Sequence, residues 1–299
     1  MAICDNKKID HKVTVVIPCY NRQEFVKETI ESALAQTYGN IEVIAVDDGS
    51  TDGTRQVLDS YNGRIRVLEH PGRVNKGQSA AINLAMRSSE SEYVAILDSD
   101  DLWRESKIER QVNFLENNTD IGLVYSNGHA IDQHGEYLYK LFPPDHMEMN
   151  SPGRLLLDCY VSVPSNSLVR RSIFKKAGEF DEEMRAAQDH DMILRLAEIT
   201  KFAFLDEDLW SYRRHANSIS SNDAIRRWEL GFKILEKACE RYDYGPKIRR
   251  ERLAVLNFRL GQCMLQEHRP AAAALRFLKA GMLDPLRAAM VLLGIERKY

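Results

Sequence analysis

VTVVIPCYNR, residues 13–22, decides how the rest of the chain is read. A run rich in β-branched side chains ends at Pro18 and gives way to Cys19, Tyr20, Asn21 and Arg22, which predicts a strand opening into a polar loop. The pattern recurs at Ile41–Val46 (IEVIAV), Ile65–Leu68 and Tyr93–Leu97 (YVAIL). Between these runs, Glu24–Ala35, Thr54–Tyr61 and Ser79–Ser88 carry apolar residues at helical spacing, as Ala81, Leu84 and Ala85 do. Strand and helix alternating at this pitch imply βαβ units, hence a parallel sheet with helices on both faces.

Outward from that core, Lys107–Asn117 is expected as a helix and Ile121–Ser126 as a strand. From about residue 128 to 220 the pattern is less regular. His129–Tyr139 suggests a hairpin around Gly135, Leu141–Gly153 a loop with three prolines, Asp189–Ile199 a helix, and Leu209–His215 an extended segment. Beyond Asp223 the chain reads as helices over Arg226–Tyr242, Pro246–Glu267, Pro270–Ala280 and Pro285–Leu293. Pro246, Pro270 and Pro285 fall where helices would begin, the position that tolerates a missing N–H. One helix pair there resembles a tetratricopeptide hairpin, too little to make a repeat.

The 299 residues allow one large domain and a smaller one, and 44% hydrophobic with 28% charged residues is ordinary for a soluble globular protein. A net charge of -3 argues against wrapping nucleic acid. The five cysteines (Cys4, Cys19, Cys159, Cys239, Cys263) form no C-x-x-C pair and read as reduced thiols. The stretch MAICDNKKIDHK is polar and lacks the apolar run of a signal peptide, and no run approaches the roughly 20 apolar residues of a membrane span. A cytoplasmic protein is expected.

Ligands of open parallel sheets bind beyond the carboxyl ends of the strands. Three clusters fall there: Cys19 to Arg22, Asp47-Asp48-Gly49-Ser50, and Asp98-Ser99-Asp100-Asp101. Each alone reads as a turn whose serine and aspartates cap the next helix. Three on one edge point elsewhere, because coincident carboxylates repel unless a cation or hydrogen-bond donor joins them. A D-x-D pair suits a hard divalent cation and leaves positions open for water and phosphates. Such a cation can stabilise a departing diphosphate.

The ordered segments VTVVIPCYNR, IAVDDGSTDGT, NKGQSAAINLA and SEYVAILDSDDLW resemble the inverting family 2 glycosyltransferases of the GT-A fold. The likeness continues through VPSNSLVRRSIFKKAGEFDEEM, AQDHDMILRL and LWSYRRHANSIS. It implies a GT-A domain over residues 1–220, a mostly parallel sheet flanked by helices, and an α-helical C-terminal extension over 221–299. It further implies a nucleotide-sugar donor, expected to be UDP-linked, with Mn²⁺ or Mg²⁺, and transfer to a glycan or lipid-linked acceptor with inversion. The donor contacts implied are Pro18, Tyr20 on the base, Asp48 on a uracil-like imide, Asp98 toward the ribose, and Lys76, with Arg73, toward the diphosphate. Asp98, Asp100 and His215 are implied as metal ligands, Asp100 the firmest, and Asp189 as the general base. Gln188 stands where the family usually has glutamate. From the residues alone, His215 reads equally as a surface histidine ending a strand, Asp189 as a helix N-cap, and Arg73 and Lys76 as solvated loop charges.

Other readings fit less well. Asp48, Ser50, Asp52, Gly53 and Asp59 echo an EF-hand loop, but a strand precedes them where a helix is needed. Gly72 and Gly77 have P-loop spacing, but Gln78 replaces the lysine. A metal-dependent nucleotidyltransferase and an inactive binding scaffold remain as alternatives. The Q-x-x-R-W motif of processive members lacks its glutamine here, since Ala224 begins the stretch ending at Trp228, so single addition is expected. The basic stretch IRRWELGFKILEKACERYDYGPKIRRERL suggests peripheral contact with acidic lipids at the inner face of a membrane.

Overall fold

The computed structural model describes residues 10–161, 164–215 and 224–292. Cys4, Val163, and the part of the LWSYRRHANSIS segment beyond His215 lie outside them. The strands are β1 (Val13–Cys19), β2 (Ile41–Asp47), β3 (Arg66–Glu69), β4 (Tyr93–Ile96), β5 (Leu102–Trp103), β6 (Ile121–Ile131), β7 (Tyr137–Lys140), β8 (Ser167–Arg170) and β9 (Lys201–Arg213). The helices are α1 (Val26–Leu34), α2 (Thr54–Asp59), α3 (Gln78–Arg87), α4 (Lys107–Asn117), α5 (Pro152–Leu157), α6 (Arg171–Ala177), α7 (Gln188–Ala197), α8 (Ala224–Arg241), α9 (Gly245–Gln266), α10 (Pro270–Leu283) and α11 (Pro285–Leu292). The chain divides into two compact units. One comprises Met1–Asn150, Ser162–Arg185 and Ile199–His215; the other comprises Ser151–Val161, Ala186–Glu198 and Ala216–Tyr299.

In the first unit, strands run in the order β3-β2-β1-β4-β8-β6-β9-β5, with β7 added to β6. The first four pair in parallel, as alternating strands and helices require. Alternate residues of β1 serve opposite faces: Val13, Val15 and Ile17 join a core with Val26, Ile30, Val112 and Leu115, while Val16 is buried outside that cluster. Register then sets the working edge. Cys19 lies beside Asp47, and Leu97 N–H donates to Val16 C=O at 2.9 Å, so β1, β2 and β4 release their polar loops on one side.

The other half of the sheet is mixed. β8 runs antiparallel to both β4 and β6, β9 parallel to β6, and β5 antiparallel to β9. The hairpin forms as expected, with Gly135 at φ 88 in its turn. β9, however, begins at Lys201, eight residues before the extended segment read from sequence. Asp206, Glu207 and Asp208 interrupt its apolar pattern, and each is met by a neighbour: Lys140 at 3.1 Å, Arg110 at 2.7 Å and His129 at 2.9 Å. The loop read over Leu141–Gly153 ends at α5, which starts at Pro152 with Ser151 capping the Arg154 N–H at 3.3 Å.

The second unit is helical. Pro246 and Pro270 occupy first-turn positions, and α11 begins at Pro285. Between α9 and α10, Gly261 makes room for Phe277: a β-carbon there would lie 2.8 Å from the ring. Leu260, Met264 and Ala273 form the core, joined by Trp228 and Phe232. On α7, the Asp191 carboxylate is fully buried, 2.8 Å from Arg195, 3.6 Å from Lys237 and 3.7 Å from Arg241. Removing one partner of such a group strands the others in a low-dielectric interior. Asp191→Ala is expected to cost about 3–5 kcal/mol, read as a lower urea midpoint.

Candidate active site

The polar loops of the first unit are tied to one another before any ligand enters. Asn21 adopts φ 52, a left-handed conformation that asparagine tolerates better than most residues, and its Oδ1 accepts the Thr51 N–H at 2.8 Å. The Asn21 N–H donates to Ser50 Oγ at 3.1 Å and the Arg22 N–H to Thr54 Oγ1 at 2.7 Å. Gly49, at φ 76, lies against the next loop, where a β-carbon would meet Arg73 O at 2.7 Å. Asp48 completes this joint. It is buried, and its two oxygens accept the N–H groups of Lys76 and Gly77, each at 2.8 Å. A carboxylate has acceptor capacity beyond two bonds, so the joint leaves Asp48 able to receive another donor.

Around this joint, Pro18 is buried opposite Val46, and the Tyr20 ring is 43% exposed at the strand end. Lys76 is exposed. Arg73, expected near a diphosphate, pairs with Glu69 at 3.0 Å.

The acidic loop after β4 is built on Asp101, to which the sequence reading gave no role. Its buried carboxyl accepts the Ser165 hydroxyl at 2.5 Å and the Arg213 N–H at 2.9 Å. Burial, and then the charges of Asp100 and Asp98, hold this carboxyl well above the usual carboxylate range. The same Ser165 Oγ accepts the Asp98 N–H at 3.1 Å. Ser165 is itself held from α4 and the residues before it: Trp103 Nε1 donates to its C=O at 2.7 Å, Gln111 to that of Asn166 at 2.8 Å, and buried Lys107 to that of Ser167 at 3.4 Å. VPSNS carried the resemblance, but no spacing rule singles out its first serine.

Asp100 and Asp98 diverge. The Asp100 Oδ2 receives His215 Nε2 at 2.9 Å and Arg22 Nε at 3.1 Å. The Asp98 Oδ1 accepts from Gln78 Nε2 at 2.6 Å. Arg213 Nε donates to the Asp100 C=O at 2.9 Å, and its guanidinium stacks 5.0 Å from the Phe25 ring, which in turn contacts His215 at 4.7 Å. Among the described residues, no three carboxylate, imidazole or thiol side chains gather closely enough to hold a metal. Asp100 and His215, whose donor atoms lie 2.9 Å apart, are an oxygen and an imidazole nitrogen, donor types that would suit a divalent cation such as Mn²⁺.

Asp189 belongs to the second unit. It lies in the first turn of α7, which starts at Gln188 after Ala187 at φ 56, so it is not the N-cap that its position suggested. Its Oδ1 accepts the His190 N–H at 2.8 Å, and burial raises its carboxyl pKa. His190 is a satisfied core histidine: Nε2 meets Leu155 C=O at 3.0 Å, and burial pushes its pKa down to about 3.

A parallel sheet edge carrying a D-x-D loop, an exposed tyrosine and a half-mixed sheet define the GT-A glycosyltransferase architecture. Residues 14–178 match the model of glycosyl transferase family 2, and the chain belongs to that family. A glycosyltransferase of Rickettsia typhi is 33% identical over 227 residues, covering 73% of this chain and 68% of the relative. The Escherichia coli UDP-Glc:alpha-D-GlcNAc-diphosphoundecaprenol beta-1,3-glucosyltransferase WfgD is 28% identical over 241 residues, 79% of this chain and 91% of WfgD. Among solved structures, Staphylococcus aureus TarS in complex with UDP-GlcNAc aligns over 96% of this chain and 93% of that one, with TM-score 0.64 and 17% identity. The Pyrobaculum calidifontis mannosyltransferase PcManGT, in complex with GDP-Man and Mn²⁺, aligns over 96% and 80%, with TM-score 0.62 and 19% identity. Among the described residues no helix is long and apolar enough to cross a membrane.

Ser165→Ala removes the hydroxyl that joins Asp98 to Asp101. We expect stability to fall by about 1–3 kcal/mol, the cost of a buried polar group left unsatisfied. Nucleotide affinity should fall as well, with both changes read on the same samples by urea titration and calorimetry.

Proposed function

We propose that this glycosyltransferase moves a sugar from a UDP-linked donor to a hydroxyl of a lipid-linked glycan, one sugar at a time, with inversion and with a divalent cation. The observation that carries this reading is the convergence of Arg22 and His215 on one oxygen of Asp100, beside Asp98 at the edge where β1, β2 and β4 end. A lone carboxylate oxygen with two nitrogen donors marks a point of concentrated charge at a sheet edge that suits phosphates. Support for the donor comes from TarS, solved with UDP-GlcNAc, and for the acceptor from WfgD, whose acceptor is a diphosphoundecaprenol-linked GlcNAc. PcManGT, solved with GDP-Man, makes GDP the donor nucleotide to test beside UDP.

In this reading Tyr20 stacks on the base, with Pro18 beneath it, Asp48 receives the imide N–H, and Asp98 lies toward the ribose. Lys76 faces the diphosphate. Asp100 and His215 would hold Mn²⁺ or Mg²⁺, which when bound offsets charge developing on the departing diphosphate. Asp189 accepts the proton of the acceptor hydroxyl as its oxygen bonds to the anomeric carbon. The bond from that carbon to the diphosphate breaks on the opposite face, and the nucleoside diphosphate leaves with the bonding pair. The enzyme would work at the cytoplasmic face of a membrane in surface-polysaccharide synthesis.

Calorimetric titration of UDP, GDP and CDP, with and without Mn²⁺, tests the donor site. Metal-dependent binding of UDP that Asp100→Ala loses is the expected result; absence of nucleotide binding with metal present would sink the assignment. For the base, Asp189→Asn is expected to lower kcat by about 10²–10⁴ with little change in donor affinity. Because burial raises the Asp189 pKa, the wild-type kcat/KM should climb with pH through a value above the ordinary carboxylate figure of about 3.9. The variant should lose that acid limb.

A further inference from the structure

Leu275, Leu278 and Met282 recur along α10 at three- and four-residue spacing and are 54%, 63% and 77% exposed. Ala271 and Ala274 share the same exposed face, and Leu286, at the start of α11, is 73% exposed. The opposite face of α10 is already used, with Ala273 and Ala280 buried and Phe277 against Gly261. An exposed apolar ridge of this kind on a protein surface marks an interaction site.

Charge identifies what the ridge meets. From Ala224 onward the chain carries 16 lysines and arginines against 8 aspartates and glutamates, although the whole chain has 41 against 44. Lys279 flanks the ridge and is exposed, Arg287 follows Leu286, and α10 holds no acidic residue. The basic stretch of α8 and α9 is less available than its sequence suggests. Lys237 and Arg241 face buried Asp191, and Arg252 is buried with its guanidinium on Leu157 C=O at 3.0 Å. A second copy seated ridge to ridge would bring two basic regions together, whereas an anionic bilayer offers hydrocarbon for the leucines and phosphates for the flanking cations.

We propose that the α10–α11 ridge is a membrane-docking surface for anionic phospholipid. The proposal rests on the reading that the acceptor is lipid-linked, and the flotation that tests it needs neither acceptor nor donor. The full chain is floated with vesicles of phosphatidylcholine alone and of phosphatidylcholine mixed with phosphatidylglycerol. Binding to the anionic vesicles only, weakened by salt, is expected. Leu278→Glu with Met282→Glu should reduce bound protein about tenfold, and Lys279→Glu should reduce it less, while both variants keep the wild-type urea midpoint and UDP affinity. Failure of wild type to float with anionic vesicles, or equal flotation of the double variant, overturns the proposal. So does a wild-type dimer in sedimentation velocity that the double variant dissociates, which would assign the ridge to a second copy. Loss of UDP binding with flotation intact would instead count against the donor reading and leave the docking surface standing.

Discussion

The Asp101 carboxyl lies beneath the acidic loop with the Ser165 hydroxyl on one oxygen and the Arg213 N–H on the other, and the geometry of the site follows from those two bonds. A buried carboxyl so close to two other aspartates is costly unless every acceptor is met. Meeting it draws β8 and β9 to the end of β4. Ser165, just before β8, then fixes the Asp98 N–H, and Arg213, at the end of β9, fixes the Asp100 C=O. Asp98 and Asp100 are therefore held by their neighbour, through elements far away in sequence.

The loops on the other side are joined by a similar device. Asp48 spends one bond on each of two backbone N–H groups, and Gly49 lets the 73–75 segment approach to a distance no side chain would permit. The result is a preformed edge in which Asp48, Asp98 and Asp100 are each set by a bond between a side chain and a backbone group. Preorganisation of this kind lowers the reorganisation a charged substrate must induce. Arg22 and His215 on Asp100, and Gln78 on Asp98, supply the donors that keep adjacent carboxylates compatible with one another.

Local pattern was enough for the parallel half of the sheet, because each strand there is a short β-branched run followed by an amphipathic helix that returns it alongside. It was also enough for α4, whose bounds agree with the sequence reading, and for the proline starts of the tail helices. It did not suffice for β9. Three consecutive acidic residues mask that strand, and partners brought from elsewhere in the fold, Arg110 on α4, Lys140 on β7 and His129 among them, make them tolerable. Asp189 shows the same limit at one position: an aspartate before an apolar helical run looks like a cap, yet Ala187 in a left-handed turn takes over the start of the helix.

The residues able to do chemistry at the sheet edge, and their order along a βαβ frame, were determined by the sequence, since periodicity and strand-end position are local properties of the chain. Which of them meet was decided by tertiary structure. Asp101 finds Ser165 and Asp100 finds His215 because β8 and β9 return from far along the chain, while Asp100 finds Arg22 and Asp98 finds Gln78 across the parallel half of the sheet. Such pairings depend on burying charge with a partner, and no window of sequence contains both members of the pair.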